Sequence, residues 1–282
     1  MVPPRSGSAM GMRSRGPVEL NVNLAKSYEI RGPKSPMPRS PLRDVTADDR
    51  STSTSTSTGT GGSVGRGASY EDRLDGAIHV LRTEANALAA LTQLYSSERV
   101  CRDGFHRAID ALTRHRDHRG KVVFIGVGKS GWIAKKLTAT FSSLGLPAVF
   151  LHPTEALHGD LGVVGDHDTL VMITFSGRTP ELMLLLPHLN RNCPLILLTS
   201  PTRMDACDIA RARPDLILLP APIPVPERES FGVSAPTTST TMAIAVGDAL
   251  AYVASREMYP SVSSVFAKNH PGGAIGQAFK TK

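Results

Sequence analysis

The feature that most constrains this chain is Val122-Val-Phe-Ile-Gly-Val-Gly-Lys-Ser-Gly131, where four apolar β-formers break into closely spaced glycines. A buried strand that turns sharply into a helix needs residues without Cβ at the turn. The same glycines leave backbone N–H groups open to an anion at the helix N-terminus. Gly126-x-Gly128-x-x-Gly131 fits a dinucleotide loop as well as a sugar-phosphate loop, so the rest of the chain has to choose between them.

Downstream of Gly120 the text alternates short apolar runs with helix-like segments. Strands are expected at 121–126, 147–151, 169–174, 194–199 and 215–219, and helices near 130–144, 179–190 and 237–255. That rhythm predicts an α/β fold, a five-stranded parallel sheet flanked by helices. Ligands in such sheets bind beyond the carboxyl ends of the strands, so the loops Gly126–Gly131 and Thr174-Phe-Ser-Gly-Arg-Thr179 fall on one edge. Ahead of the sheet, Leu74, Ile78, Leu81, Ala85, Leu88, Leu91 and Leu94 recur at helical spacing, and Val100, Phe105, Ile109 and Leu112 mark a second helix. An amphipathic helical hairpin over 70–116 cannot bury its stripe alone, so it is expected to pack on the sheet domain or on another subunit.

The first seventy residues read differently. They carry ten basic against five acidic residues, so most of the chain's net charge of +7 lies there and no basic cluster marks the remainder as a nucleic-acid surface. Scattered prolines and the tract Ser51-Thr-Ser-Thr-Ser-Thr-Ser-Thr58 cannot bury enough apolar area to offset ordering entropy. A disordered leader over 1–70 and a folded domain over 71–282 are expected. The Arg-rich start leaves organellar targeting open, although its prolines oppose an amphipathic helix. Cys101, Cys193 and Cys207 are odd in number and far apart, which predicts a reducing, cytoplasmic setting without disulfides. The apolar run 243–254 is short and interrupted by Asp248, so no membrane span is expected.

The loop after the third strand offers hydroxyls at Thr174, Ser176 and Thr179 around Gly177, the donor set for a phosphate monoester. Thr179-Pro180-Glu181 would also cap a helix without any ligand, and the two roles are compatible. Together with Gly128-Lys-Ser-Gly131, His152-Pro-x-Glu-Ala-x-His-Gly-Asp-Leu-Gly162, Ala235-Pro-Thr-Thr-Ser-Thr-Thr241, Gly247-Asp-Ala-Leu250 and His270-Pro-Gly-Gly-Ala-x-Gly276, this loop resembles the sugar isomerase (SIS) domain of arabinose-5-phosphate isomerases over about residues 75–282. The resemblance implies the flavodoxin/Rossmann-like sheet already expected, a homotetramer with sites shared between subunits, and no cofactor. It also implies interconversion of arabinose 5-phosphate and ribulose 5-phosphate through a cis-enediol. In many relatives paired CBS domains follow, and with the chain stopping at Lys282 none is expected here.

Carried over by motif, the resemblance implies catalytic roles for Lys129, Glu181, Glu229, His270 and His158, with phosphate held by Gly128, Ser130, Thr174, Ser176, Gly177 and Thr179. Spacing to Ala235 makes Glu227 the alternative to Glu229. A lysine beside the loop would stabilise charge developing on an enediolate, and imidazole titrates near neutrality, which suits proton transfer. His152 and His158 are weak metal candidates, because no strict ligand spacing surrounds them, and no metal is expected. Two positions depart from the family's usual pattern, Phe175 for an asparagine and Arg178 for an acid. An arginine there could contact phosphate or alter which sugar fits. Those departures motivate the alternative of a phosphosugar sensor without turnover. A nucleotide-dependent oxidoreductase fails at its own confirming position, since 145–153 supplies no ribose-binding acid.

Overall fold

The computed structural model describes residues 69–114, 120–273 and 277. The leader expected over 1–70 therefore lies outside the described residues, apart from its last two positions. Five strands form one parallel sheet: β1 (Val122–Ile125), β2 (Ala148–Leu151), β3 (Thr169–Ile173), β4 (Leu195–Thr199) and β5 (Ile217–Pro220), in the order β2-β1-β3-β4-β5. Register is regular, with Val122 opposite both Ala148 and Thr169 and Ile125 opposite Leu151 and Met172. Strands covered on both faces read as continuous apolar runs, which is why all are visible in the sequence to within two residues.

Alternate residues of each strand feed two cores. Val122, Phe124, Val171, Ile173, Ile196 and Leu198 face one side, and Val123, Ile125, Leu170, Met172, Leu195 and Leu197 the other. The first core is closed by α1 (Tyr70–Ser97), α2 (Arg99–Thr113), α3 (Gly128–Ser143) and α8 (Thr238–Met258), the second by α4 (Pro153–Ala156), α5 (Pro180–Leu185) and α6 (Asp208–Ala212). Because α3 leaves β1 toward one face and α5 leaves β3 toward the other, the loops after these adjacent strands diverge. That divergence opens a crevice at the carboxyl edge of the sheet.

The helical hairpin exists, but it is only half covered. Ser69 and Asp72 form a reciprocal capping box at the start of α1. Ala87 and Leu91 are buried, whereas Leu74, Ile78, Leu81 and Leu88 remain exposed. One face of α1 thus packs on the domain through Ala87 and Leu91, and Leu74, Ile78, Leu81 and Leu88 present an apolar stripe left exposed. Among the described residues no helix is long and apolar enough to cross a membrane.

Two short helices complete the frame, α7 (Glu227–Phe231) and α9 (Val262–Asn269). Neither is among the helices expected from the sequence. Ser261 caps α9 by accepting from the Ser264 N–H.

Candidate active site

A cavity of about 500 Å³ fills the crevice at the carboxyl ends of β1, β3, β4 and β5. Each strand delivers polar groups to it. Lys129 and Ser130 come from the turn after β1, Thr174 follows β3, and Thr199 with Ser200 ends β4. Ile133, Ile173, Leu198 and Ile223 supply an apolar floor. On the far wall stand Glu227 and Arg228 of α7, with Ser239 and Thr240 of α8.

The turn after β1 is built by its glycines. A Cβ on Gly126 would come within 2.8 Å of the Ser130 carbonyl, and Gly128 is left-handed at φ 58°. The chain can therefore fold tightly from Ile125 into α3. No side chain caps that helix, and its first turn holds no acid. Its leading N–H groups and the positive end of a 16-residue helix dipole are thus presented to the cavity mouth.

In the second loop Thr174 is buried, and its hydroxyl lies 2.7 Å from that of Thr179. Ser176 is exposed and accepts from the Arg178 N–H. Gly177 has φ 66°, and a Cβ there would lie 2.2 Å from Cys207 Sγ. Cys207 and the Ile209 N–H both donate to the Gly177 carbonyl, so α6 clasps the loop from beneath. Arg178 belongs to this clasp as well: it pairs with Asp208 and donates to the Ala206 carbonyl. The phosphate contact considered for Arg178 is replaced by a brace to α6, because that acid and that carbonyl sit beside the loop.

The acid on the far wall is Glu227 rather than Glu229. Glu227 is only 8% exposed, and its Oε1 accepts from the N–H groups of Thr237 (2.7 Å) and Ser239 (3.0 Å) and from Ser239 Oγ (2.8 Å). A carboxylate in that position complements the positive N-terminus of α8. Glu229 stands two residues further along the same helix, about 200° around its axis, and faces solvent. Glu181, in the first turn of α5, is half-buried and does not line the cavity.

The candidate histidines His270, His158 and His152 do not line this cavity within one chain. His270 stacks on Phe266 with ring centroids 3.9 Å apart, shares a hydrogen bond with the Phe266 carbonyl, and has Nε2 3.3 Å from Ser143 Oγ. Ser143 closes the opposite end of α3, about 20 Å along the helix from Lys129 at 1.5 Å per residue. His158 is exposed, while His152 is half-buried, with its Nδ1 enclosed and unpartnered. Among the described residues no group of three His, Cys, Asp or Glu side chains is placed to hold a metal ion.

Six polar residues of the cavity, Thr199, Ser200, Arg228, Ser234, Ser239 and Thr240, are not among the candidate site residues drawn from the sequence. Thr199 and Ser200 have a usable signal, hydroxyls ending an apolar strand as Thr174 does. Ser239 and Thr240 lie in the motif at 235–241, whereas Arg228 has no signal, because its direction depends on helix phase.

Comparison with known proteins agrees with this geometry. The SIS domain family matches residues 116–252. Arabinose 5-phosphate isomerase KdsD of Yersinia pestis is 40% identical over 198 residues, 70% of this chain and 56% of the relative. Arabinose 5-phosphate isomerase KpsF of Escherichia coli is 35% identical over 204 residues, 72% and 58% of the two chains. The chain thus spans a little over half the length of these curated relatives. A solved structure from Escherichia coli CFT073, in complex with arabinose 5-phosphate, superposes with a TM-score of 0.60 at 35% identity, over 72% of this chain and all of that one. With the SIS domain model matched and a solved structure covered over its whole length at 35% identity, the chain belongs to the SIS domain family.

Proposed function

We propose that this chain interconverts an aldose phosphate and its ketose, with D-arabinose 5-phosphate and D-ribulose 5-phosphate as the preferred pair. The observation that carries the reading is the meeting of an uncapped helix N-terminus, Lys129, the Thr174 loop and the buried Glu227 around one cavity. The names of the relatives, and the ligand of the related solved structure, support the same substrate class.

In this reading the phosphate dianion rests on the first N–H groups of α3 and on the hydroxyls of Ser130, Thr174, Ser176 and Thr179. Gly128 keeps a Cβ out of its way, and Gly177 lets the hydroxyl loop close on Cys207. That anchorage extends the sugar toward α7. A carboxylate takes the proton from C2, the electron pair becomes the C1=C2 bond, and the carbonyl oxygen receives a proton as the enediol forms. Proton return to C1, with loss of the O2 proton, gives the ketose. Glu227 is the carboxylate of this cavity. Its Oε1 is held by α8, and Oε2 remains for the substrate. Lys129 stabilises the oxygen charge that develops on the way.

His270, Glu181 and His158 serve the reaction only if a second protomer brings them to the cavity, so we read the active form as a homo-oligomer with shared sites, a tetramer by family resemblance. The test is exchange chemistry: the protein is incubated with arabinose 5-phosphate in deuterated water and the sugar is followed by NMR. Deuterium entering C1 or C2 together with ketose formation is expected. Failure to label any pentose or hexose phosphate would overturn the isomerase reading in favour of a non-catalytic phosphosugar sensor.

A further inference from the structure

Phe175 is a large aromatic side chain that the fold leaves 46% exposed while directing it at the cavity. Its backbone is not free to move away: the Phe175 carbonyl accepts from Thr199 Oγ1 at 3.1 Å and from the Ser200 N–H at 2.9 Å. The loop is fixed a second time two residues later, where Gly177 packs against Cys207. No other aromatic ring among the described residues packs on it. A half-exposed ring on a fixed backbone, set between the hydroxyl residues Thr174 and Ser176, is free to take an apolar partner, because an apolar surface kept wet contributes nothing to the fold.

The position of the ring says which part of a ligand it meets. Phe175 lies between Thr174 and Ser176, two of the proposed phosphate donors, and lines the same cavity as Glu227. We infer that Phe175 is a positioning residue that packs its ring against the C–H face of the sugar carbons nearest the phosphate ester, and so fixes the arm that carries the reacting carbons to Glu227. The inference rests on the phosphosugar reading of the cavity. Its ligand is a sugar phosphate rather than a bare anion, since inorganic phosphate has no carbon for the ring to cover.

Binding, which needs no turnover, tests this. Affinities of wild type, Phe175→Ala and Phe175→Tyr are measured by calorimetry for arabinose 5-phosphate and for inorganic phosphate, with sedimentation run on each protein. Covering on the order of 50 Å² of ring is worth about tenfold in affinity. Phe175→Ala should therefore weaken arabinose 5-phosphate by about tenfold while inorganic phosphate stays within about twofold. Phe175→Tyr should restore wild-type sugar binding. Equal losses for both ligands would overturn the inference, because the ring would then only be holding the phosphate loop. Unchanged sugar affinity, or an altered oligomeric state, would overturn it as well. These results are independent of whether wild type exchanges deuterium, so the two readings fail separately.

Discussion

Glu227 separates structure from chemistry more sharply than any other residue of the cavity, because one carboxylate does two jobs through two oxygens. Oε1 satisfies the N–H groups of Thr237 and Ser239 and the Ser239 hydroxyl at the head of α8. In the proposed reaction Oε2 takes the substrate proton. Glu227→Gln keeps an acceptor for those donors and removes the charge and the basicity. The structural loss is then mainly the interaction of a buried charge with the helix dipole, about 1 kcal/mol, which is a fall in melting temperature of about 2–4 °C for a domain of this size. Glu227→Ala also strands three donors in a site that is only 8% exposed. At about 1–3 kcal/mol for an unsatisfied buried group, partly relieved by entering water, that variant should lose about 3 kcal/mol and roughly 6–12 °C. If Glu227 is the base, both variants should lose about 10²–10⁴ in kcat, so the ratio of activity loss to stability loss is far larger for the glutamine. Calorimetric melting and steady-state isomerisation on the same preparations decide it. A Glu227→Gln protein that melts a few degrees early and turns over at the wild-type rate would refute the argument and leave Glu227 as a helix cap alone.

Lys129→Ala and His270→Ala should each be inactive alone and should recover activity when co-refolded as a mixture, since the two residues lie about 20 Å apart in one chain; no recovery in the mixed oligomer would refute shared sites. Gly177→Ala should weaken phosphosugar protection in thermal melts and cost at least about 1–3 kcal/mol, because a Cβ meets Cys207 Sγ and the backbone is left-handed; a wild-type melt would show that the loop has room the packing denies. Asp168 is expected to contribute to stability in acid. Burial alone would raise its pKa, but hydrogen bonds from Lys121 Nζ and the Gly165 and Lys121 N–H groups, with the Lys121 charge, hold it below the ordinary carboxylate value. A depressed folded pKa gives stability that is complete above the unfolded value of about 3.9 and lost as pH falls from there through the lower folded value. Melting temperature should therefore drop below about pH 4 in wild type and less steeply in Asp168→Asn; parallel curves would refute the assignment.

The sheet was legible in the sequence because doubly covered strands carry an unbroken apolar signal, and so was the glycine turn, whose conformation only residues without Cβ can adopt. Short helices were not. Residues 227–231 form a single turn and a half, too few for a period to show, and without that period the choice between Glu227 and Glu229 stays open. What decides between them is helix phase relative to the N-terminus of α8, a tertiary relation with no local signature. Arg178 is opaque for the same reason: its charge is visible, but the Asp208 and Ala206 partners that turn it away from the cavity lie some thirty residues on. His270 illustrates a different limit. Its motif points to the active site, but the chain folds it against Ser143, and only the proposed shared site between protomers would bring motif and cavity together.

That second copy is also what the first helix asks for. Leu74, Ile78, Leu81 and Leu88 lie on one stripe of α1 and remain 37–67% exposed after the domain has folded. Full burial of a leucine or isoleucine side chain is worth about 1.5–3 kcal/mol, so covering this half-exposed stripe offers several kcal/mol that folding of one chain leaves unused. The cap at Ser69 is already satisfied within α1, so the stripe is held as a straight, preformed surface and ordering it costs little on association. The cavity has the complementary need: it holds an anion site, a lysine and one carboxylate, but no histidine from the described residues of its own chain. A stripe that favours association and a site short of a proton-transfer group are separate observations on separate parts of the fold. Assembly of identical chains answers both, which is why we place the catalytic unit in the oligomer rather than in the single chain.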